Sequence, residues 1–301
     1  MTTYLISGSS GLLGQALSDA ARANGVHVAR LVRSSTPSTN GDVAVDLKRR
    51  WLDRDALDRL GAIDAVIHLA GAGIADRRWS DARKREILES RTVFTELLAS
   101  TIAEMTTPPG VFLSGSAIGY YGDTGTASVD ETGDAGHDFL AEVCVAWERA
   151  AADAGVRTVL LRTGIVLTPK GGALKKQLPL FQAGLGGRLG RGAQFMSWIG
   201  LNDWIRGIEF IIANPTLVGP VNLTAPNPVS NAAFTKALAS VLHRPAVAAV
   251  PPFALKIALG GELASTALLA SQRVLPSALL TAGFAYSEAE VGDALRAELG
   301  R

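Results

Sequence analysis

Gly8-Ser9-Ser10-Gly11-Leu12-Leu13-Gly14 stands between a short apolar run, Leu5-Ile6, and a helical pattern from Leu12 to Ala23. The spacing G-x-x-G-x-x-G asks three times for a residue without a side chain, each time for a different reason. Gly8 permits a tight turn out of the strand. Gly11 lets the main chain come close to a ligand, and Gly14 lets the helix lie near the sheet. A helix starting in such a turn aims unpaired N–H groups, and the positive end of its dipole, at what lies before it. Gly8, Ser10, Gly11, Leu12, Leu13 and Gly14 therefore read as a cradle for a pyrophosphate.

Outward from this turn, β-branched runs alternate with helical stretches. Val26 to Val32, Val43 to Val45, Ala65 to Leu69, Val111 to Leu113 and Thr158 to Leu161 read as strands. Ser80 to Ile102 and Phe139 to Asp153 read as helices. The alternation predicts an α/β fold, a Rossmann-type doubly wound parallel sheet covered on both faces. After Leu167 the pattern changes. Glycines at 171, 172, 184, 186, 187, 190 and 192 suggest a loop-rich stretch, followed by helices from Leu201 to Ala213 and Asn231 to Leu242. The expected division is a dinucleotide-binding domain over 1–169 and a smaller, mostly helical C-terminal substrate or lid lobe over 170–301. Residues 198–224 are expected to return to the first domain.

The 301 residues are 48% apolar, enough for a sizeable core, and carry a formal charge of +1. That balance gives no long-range attraction to nucleic acid or to an anionic membrane, so a small-molecule substrate is expected. The single Cys144 excludes an internal disulfide, and four scattered histidines argue against a metal site. The start lacks the basic residues and longer apolar run of a signal peptide, and Phe253 to Ala270 is interrupted by Lys256, Gly260, Gly261 and Glu262. A cytoplasmic protein is expected.

The choice between NAD and NADP rests on the second strand. An acidic residue at its end would bond the ribose 2′-hydroxyl and select NAD. Here the strand ends Leu31-Val32-Arg33-Ser34-Ser35. Arg33 can fork onto a 2′-phosphate and Ser34 can add a donor, which predicts NADP(H).

The wide glycine spacing resembles the extended branch of the short-chain dehydrogenase/reductases. His68-Leu69-Ala70-Gly71 resembles that branch's segment under the adenosine half, and Asp46-Leu47 its adenine-facing Asp. Trp198-Ile199 through Asp203 and Val221-Asn222-Leu223 resemble its later signatures. The resemblance implies cofactor contacts from Asp46, Leu47, Leu69, Ala70, Gly71, Ser114 and Arg162. It places the catalytic Ser at Ser116, followed by the turn Tyr120-Tyr121-Gly122.

The branch's chemistry also uses Tyr-x-x-x-Lys, whose i, i+4 spacing puts both side chains on one helix face. Aligning Glu148 with the Glu one turn after that Lys places Leu140 at the Tyr position and Cys144 at the Lys position. Leucine has no proton to give, and a thiol is no fixed cation. This loss, with Ser116-Ala117-Ile118-Gly119-Tyr120-Tyr121-Gly122 and Phe139-Leu140-Ala141-Glu142-Val143-Cys144, resembles the atypical YfcH-like, sugar-nucleotide epimerase-like group. The resemblance implies an NADP(H)-dependent oxidoreductase or nucleotide-sugar epimerase-like enzyme. Hydride would pass at nicotinamide, with a non-standard proton donor and a carbonyl compound or nucleotide sugar as substrate. The alternative is a silent NADP(H)-binding sensor or scaffold.

Tyr120 and Tyr121 are the candidate donors by location, with a pKa expected near the ordinary value of about 10. Cys144 reads as a small inert core residue. Arg162 can hold an anion or form an ion pair within the domain. Arg188, Arg191 and Arg273 read as solvated lid charges.

Overall fold

The computed structural model describes residues 1–38 and 41–301. Eight strands form the central sheet: β1 (Thr3–Ser7), β2 (His27–Arg33), β3 (Val43–Asp46), β4 (Trp51–Leu52), β5 (Ala65–His68), β6 (Val111–Ala117), β7 (Thr158–Thr163) and β8 (Gly219–Leu223). Their order across the sheet is β8-β7-β6-β5-β1-β2-β3-β4. All neighbours are parallel except β4, which closes one side antiparallel to β3. The chain moves one way from β1 to β2 and the other way from β1 to β5. The crevice at a doubly wound sheet's ligand site therefore lies beyond the ends of β1 and β5.

The strands read as near-continuous apolar runs because both faces are buried. Ile6, Ile67, Leu113 and Leu161 point to one face, where Leu17 of α1 (Leu12–Ala23) packs. Leu5, Val66 and Phe112 point to the other. After the short α2 (Arg54–Arg59), the 23-residue α3 (Asp81–Ala103) covers that second face with Phe94, Leu97, Leu98 and Ile102. Asp53, Ser80 and Asp138 each accept a hydrogen bond from the first turn of the helix they precede: α2, α3 and α4 (Phe139–Ala150).

Residues 170–184 differ from the loop-rich expectation: α5 (Gly172–Gln182) runs through them. Leu174, Leu178 and Phe181 recur at i, i+4 and i+7 and are buried. This apolar spacing outweighs the glycines at the ends and Pro179 within. Leu174, Leu178 and Phe181 join Leu167, Trp198, Phe234, Leu238 and Leu295 in a core of their own.

The segment 198–224 lies on the sheet. It supplies β8, and Trp204, Ile208 and Ile211 of α6 (Leu201–Ala213) pack on the first face. Arg157 holds the C-terminal end of α6 by donating to the carbonyls of Ile211, Ile212, Asn214 and Leu217. Such contacts satisfy carbonyls that a helix end leaves free. The fully buried Asp203 accepts from the amides of Ser287 and Glu288, tying α6 to the chain's last quarter. From residue 251 the chain forms short helical segments and the terminal helix Val291–Leu299. Among the described residues no helix is long and apolar enough to cross a membrane.

Candidate cofactor and active site

The turn at residues 8–14 follows β1 and opens α1. Gly8 has φ +70°, and a Cβ there would lie 2.9 Å from Ala70 N and from Leu69 C. A Cβ on Gly14 would lie 2.2 Å from Gly8 O. The fold itself therefore requires two of the three glycines. Gly11 is different: its Cβ would meet only Gly8 O, at 3.2 Å. Packing within the protein scarcely explains it, whereas close approach of a ligand to the main chain does. No side chain caps α1 and no acidic residue lies in its first turn. The first amides of α1 thus stand open at the sheet's switch point, which suits an anion.

Arg33 ends β2, exposed and without a hydrogen bond or ion pair among the described residues. The Ser34 hydroxyl is engaged in a local turn, donating to Thr36 O at 2.8 Å and accepting from Thr36 N at 3.2 Å. Asp46 accepts from the amides of Lys48 and Arg49. Leu69-Ala70 packs on Gly8, so the loop after β5 forms the wall opposite the cradle. Ser10 is exposed beside it.

The strand register brings a second group of polar residues abreast. Ser116 on β6, Arg162 on β7 and Asn222 on β8 are paired across the sheet. Ser116 Oγ donates to Glu148 Oε1 at 2.6 Å. Arg162 grips the same carboxylate with Nε at 2.8 Å and Nη2 at 2.9 Å. Its Nη1 donates to Tyr121 OH at 2.9 Å, and that hydroxyl donates to Asn222 Oδ1 at 2.8 Å. The Arg162 guanidinium also lies 3.4 Å from the Tyr120 ring centroid. Burial works against the Arg162 charge, but the Glu148 carboxylate outweighs it and keeps the group firmly protonated.

Of the two readings of Arg162, the structure shows the ion pair within the domain: its fork is taken by Glu148 and Tyr121. The acidity expected of Tyr121 is corrected, because burial pushes its phenol up to about 12, against the pull of Arg162. Ser116 and Tyr121 are both buried with their protons already committed. Tyr120 is partly buried, and its hydroxyl has no partner among the described residues. Arg188 and Arg191 are exposed, but Arg273 departs from the solvated reading. It is partly buried over the Phe195 ring, with Nε unbonded.

The model of the NAD-dependent epimerase/dehydratase family matches residues 4–223, most of the chain. The chain belongs to that family. A second model, a domain of unknown function, matches residues 250–298. An epimerase family protein of Mycobacterium tuberculosis is 45% identical over 96% of this chain and 95% of its own length. A chloroplastic homologue in Arabidopsis thaliana is 38% identical over 98% of this chain and 86% of its own. The crystal structure of human epimerase family protein SDR39U1 (isoform 2) with NADPH superposes with a TM-score of 0.88. It is 31% identical over the full length of both chains.

Within this family frame, Leu140 and Cys144 do face the turn that carries Tyr120 and Tyr121. A Cβ on Gly119 would lie 3.4 Å from Leu140 Cβ and 3.7 Å from Cys144 Sγ. Burial, then the Glu148 charge, pushes the Cys144 thiol up to about 12, so it is no thiolate at neutral pH. Two members of this network were not singled out for it by the sequence reading: Glu148 as its hub and Asn222 as its far end. Glu148 and Asn222 are legible only once β6, β7 and β8 are known to lie side by side.

Beneath this site, His68 is fully buried, with Nδ1 2.5 Å from Ser7 Oγ and Nε2 without a partner among the described residues. Burial, assisted by the Arg91 charge, lowers its pKa from 6.5 to about 3. An unfolded chain binds this proton far more readily. The contribution of the neutral ring is fully present above about pH 6.5 and is lost as pH falls toward 3, at about 1.4 kcal/mol per pH unit. Urea unfolding at pH 7 and pH 5 should differ by about 2 kcal/mol through this residue. His68→Gln should remove that part of the slope; an unchanged slope would refute the assignment.

Proposed function

We propose that this protein is an NADP(H)-dependent oxidoreductase or nucleotide-sugar-epimerase-like enzyme whose proton donor is not the family's usual tyrosine. The observation carrying the reading is the uncapped start of α1, where Gly11 is left bare for no internal packing reason. The residues fit a dinucleotide: the amides of Leu12, Leu13 and Gly14 meet the pyrophosphate, and Leu69, Ala70 and Gly71 wall it. Arg33 takes the 2′-phosphate; its side chain's lack of a partner among the described residues supports this role. The relative solved with NADPH supports the same choice.

When bound, the nicotinamide group supplies or takes a hydride. The protein must then provide a proton and hold a carbonyl near it. Ser116 and Tyr121 are already engaged, so Tyr120 is the hydroxyl available. The Arg162 guanidinium on its ring face fixes its orientation. The committed protons of Ser116 and Tyr121 also favour a second reading, a cofactor-loaded protein without turnover. Screening carbonyl compounds and nucleotide sugars with NADPH separates the two. Under the first reading, Tyr120→Phe abolishes turnover and leaves NADPH affinity within about twofold. Absence of turnover across a broad panel favours the second.

The cofactor choice has its own test. Arg33→Ala should weaken NADPH binding at least about tenfold, the size of a charged hydrogen bond, and leave NADH binding unchanged. If wild-type protein binds NADH more tightly than NADPH, Arg33 is not a selector.

A further inference from the structure

Arg91, on the middle of α3, is the partly buried cation that the site described so far does not use. Its guanidinium sits against the cradle's opposite wall. A Cβ on Gly71 would lie 3.1 Å from Arg91 Cζ and 3.3 Å from Nη2. Gly71 follows the Leu69-Ala70 pair that touches Gly8. On its other side, Arg91 Cζ lies 5.1 Å from the Trp147 ring centroid. Trp147 is one helical turn beyond Cys144, on the same buried face of α4.

Among the described residues the Arg91 side chain makes a single hydrogen bond, from Nη1 to Ile87 O of its own helix at 2.9 Å. No carboxylate pairs with it among the described residues. Its helix neighbour Arg83, by contrast, has both Asp76 and Glu86. Removing a guanidinium from water without a counter-ion is costly unless acceptors replace the water. Trp147 Nε1 on α4 and Ser114 Oγ on β6 are also buried and without a partner among the described residues. No carboxylate is supplied here to neutralise the guanidinium, whose remaining N–H groups are left for a ligand.

We propose that Arg91 supplies the fixed positive charge missing at Cys144, donating hydrogen bonds to the hydroxyls of the ribose beside the nicotinamide ring. This rests on the cofactor reading above and adds a residue to it. Cys144 stands on α4 one turn before Trp147, and Arg91 approaches the same Trp147 ring from α3. The Arg91 charge is felt at Cys144, where it opposes the upward push of burial on the thiol. Arg91 is a positioning residue: it orients the reacting half of the cofactor and transfers no proton.

The test compares two probes by calorimetry on the full chain. NADPH carries the nicotinamide ribose; adenosine 2′,5′-bisphosphate carries only the adenosine side. Arg91→Met should weaken NADPH binding about 30-fold, in the range for hydrogen bonds from a charged donor, and change the bisphosphate less than about twofold. Arg91→Lys, which keeps the charge, should lose less than Arg91→Met. Arg91→Gln carries the same expectation as Arg91→Met should the latter fail to fold. Equal weakening of both probes would show a role in the fold or at the adenosine half and overturn the proposal, as would no change in either. Failure of wild-type protein to bind NADPH would instead sink the cofactor reading itself.

Discussion

Gly14→Ala is expected to cost the protein both stability and its cofactor site, whereas Gly11→Ala should cost it the site alone. At Gly14 two effects oppose each other. Alanine favours a helix over glycine by about 1 kcal/mol. Against this, the new Cβ would lie 2.2 Å from Gly8 O, a main-chain atom of the turn out of β1. Overpacking of this kind typically costs about 1–3 kcal/mol, and here the neighbour is backbone that cannot rotate away. The clash wins, and the helix start moves off β1. A net loss of up to about 2 kcal/mol lowers the melting temperature by up to roughly 3 °C in a chain of this size. The amides of Leu12 and Leu13 move with it, and two charge-assisted hydrogen bonds lost together weaken binding by at least about 100-fold.

At Gly11 the nearest atom is 3.2 Å away, which a small shift relieves. Its melting temperature without cofactor should stay within about 2 °C of wild type, an effect below 1 kcal/mol. NADPH affinity should still fall at least about tenfold, because the methyl stands where a phosphate must approach the main chain. Calorimetry and thermal melts of both variants decide the matter. If Gly11→Ala binds NADPH as wild type does, the cradle is not where the pyrophosphate lies.

Glu148→Ala should be the most destabilising substitution around the active turn. The Glu148–Arg162 pair is almost wholly shielded from solvent, at 10% and 4% side-chain exposure. Removing the carboxylate leaves a buried guanidinium with Tyr121 OH and Glu131 O as its remaining acceptors. Breaking such a pair costs about 3–5 kcal/mol, a large share of a typical domain's stability. Ser116→Ala, which removes one hydrogen bond to the same carboxylate, should cost about 1 kcal/mol. The double variant Glu148→Gln with Arg162→Met should recover part of the loss, since replacing both charges can be nearly neutral. Urea midpoints with an unchanged denaturant slope would report this directly. A Glu148→Ala protein within 1 kcal/mol of wild type would show that the pair holds nothing together.

The sheet was legible because its central strands carry short apolar runs and each glycine of the first turn answers a separate steric demand. Ala65 to Ile67 and Val111 to Leu113 carry no polar residue, so their burial on both faces follows from composition alone. Trp51–Leu52 escaped notice because two residues show no period, and only pairing with Val45 and Asp46 makes them a strand. Helix α5 was hidden by the glycines around it. The candidate site divides in the same way. The cradle is local in sequence, so its spacing reveals it. The Ser116–Glu148–Arg162–Tyr121–Asn222 chain joins residues up to about 100 positions apart. Which donor takes which acceptor follows from strand register, and register is a property of the assembled sheet. Arg91 had no sequence signal, since nothing about an arginine in a long helix tells which wall it will lean on.

The short antiparallel strand at the border of the sheet has a consequence for how copies of this chain behave toward one another. An open border presents a row of free amides and carbonyls onto which another molecule can add its own strand. Here that row is only two residues long. Lys48, Arg49 and Arg50 precede it, and Asp53, Arg54 and Asp55 follow. A second border meeting this one would find little backbone to bond and charged side chains that would have to give up water, so this border carries its own deterrent to fibrous self-association.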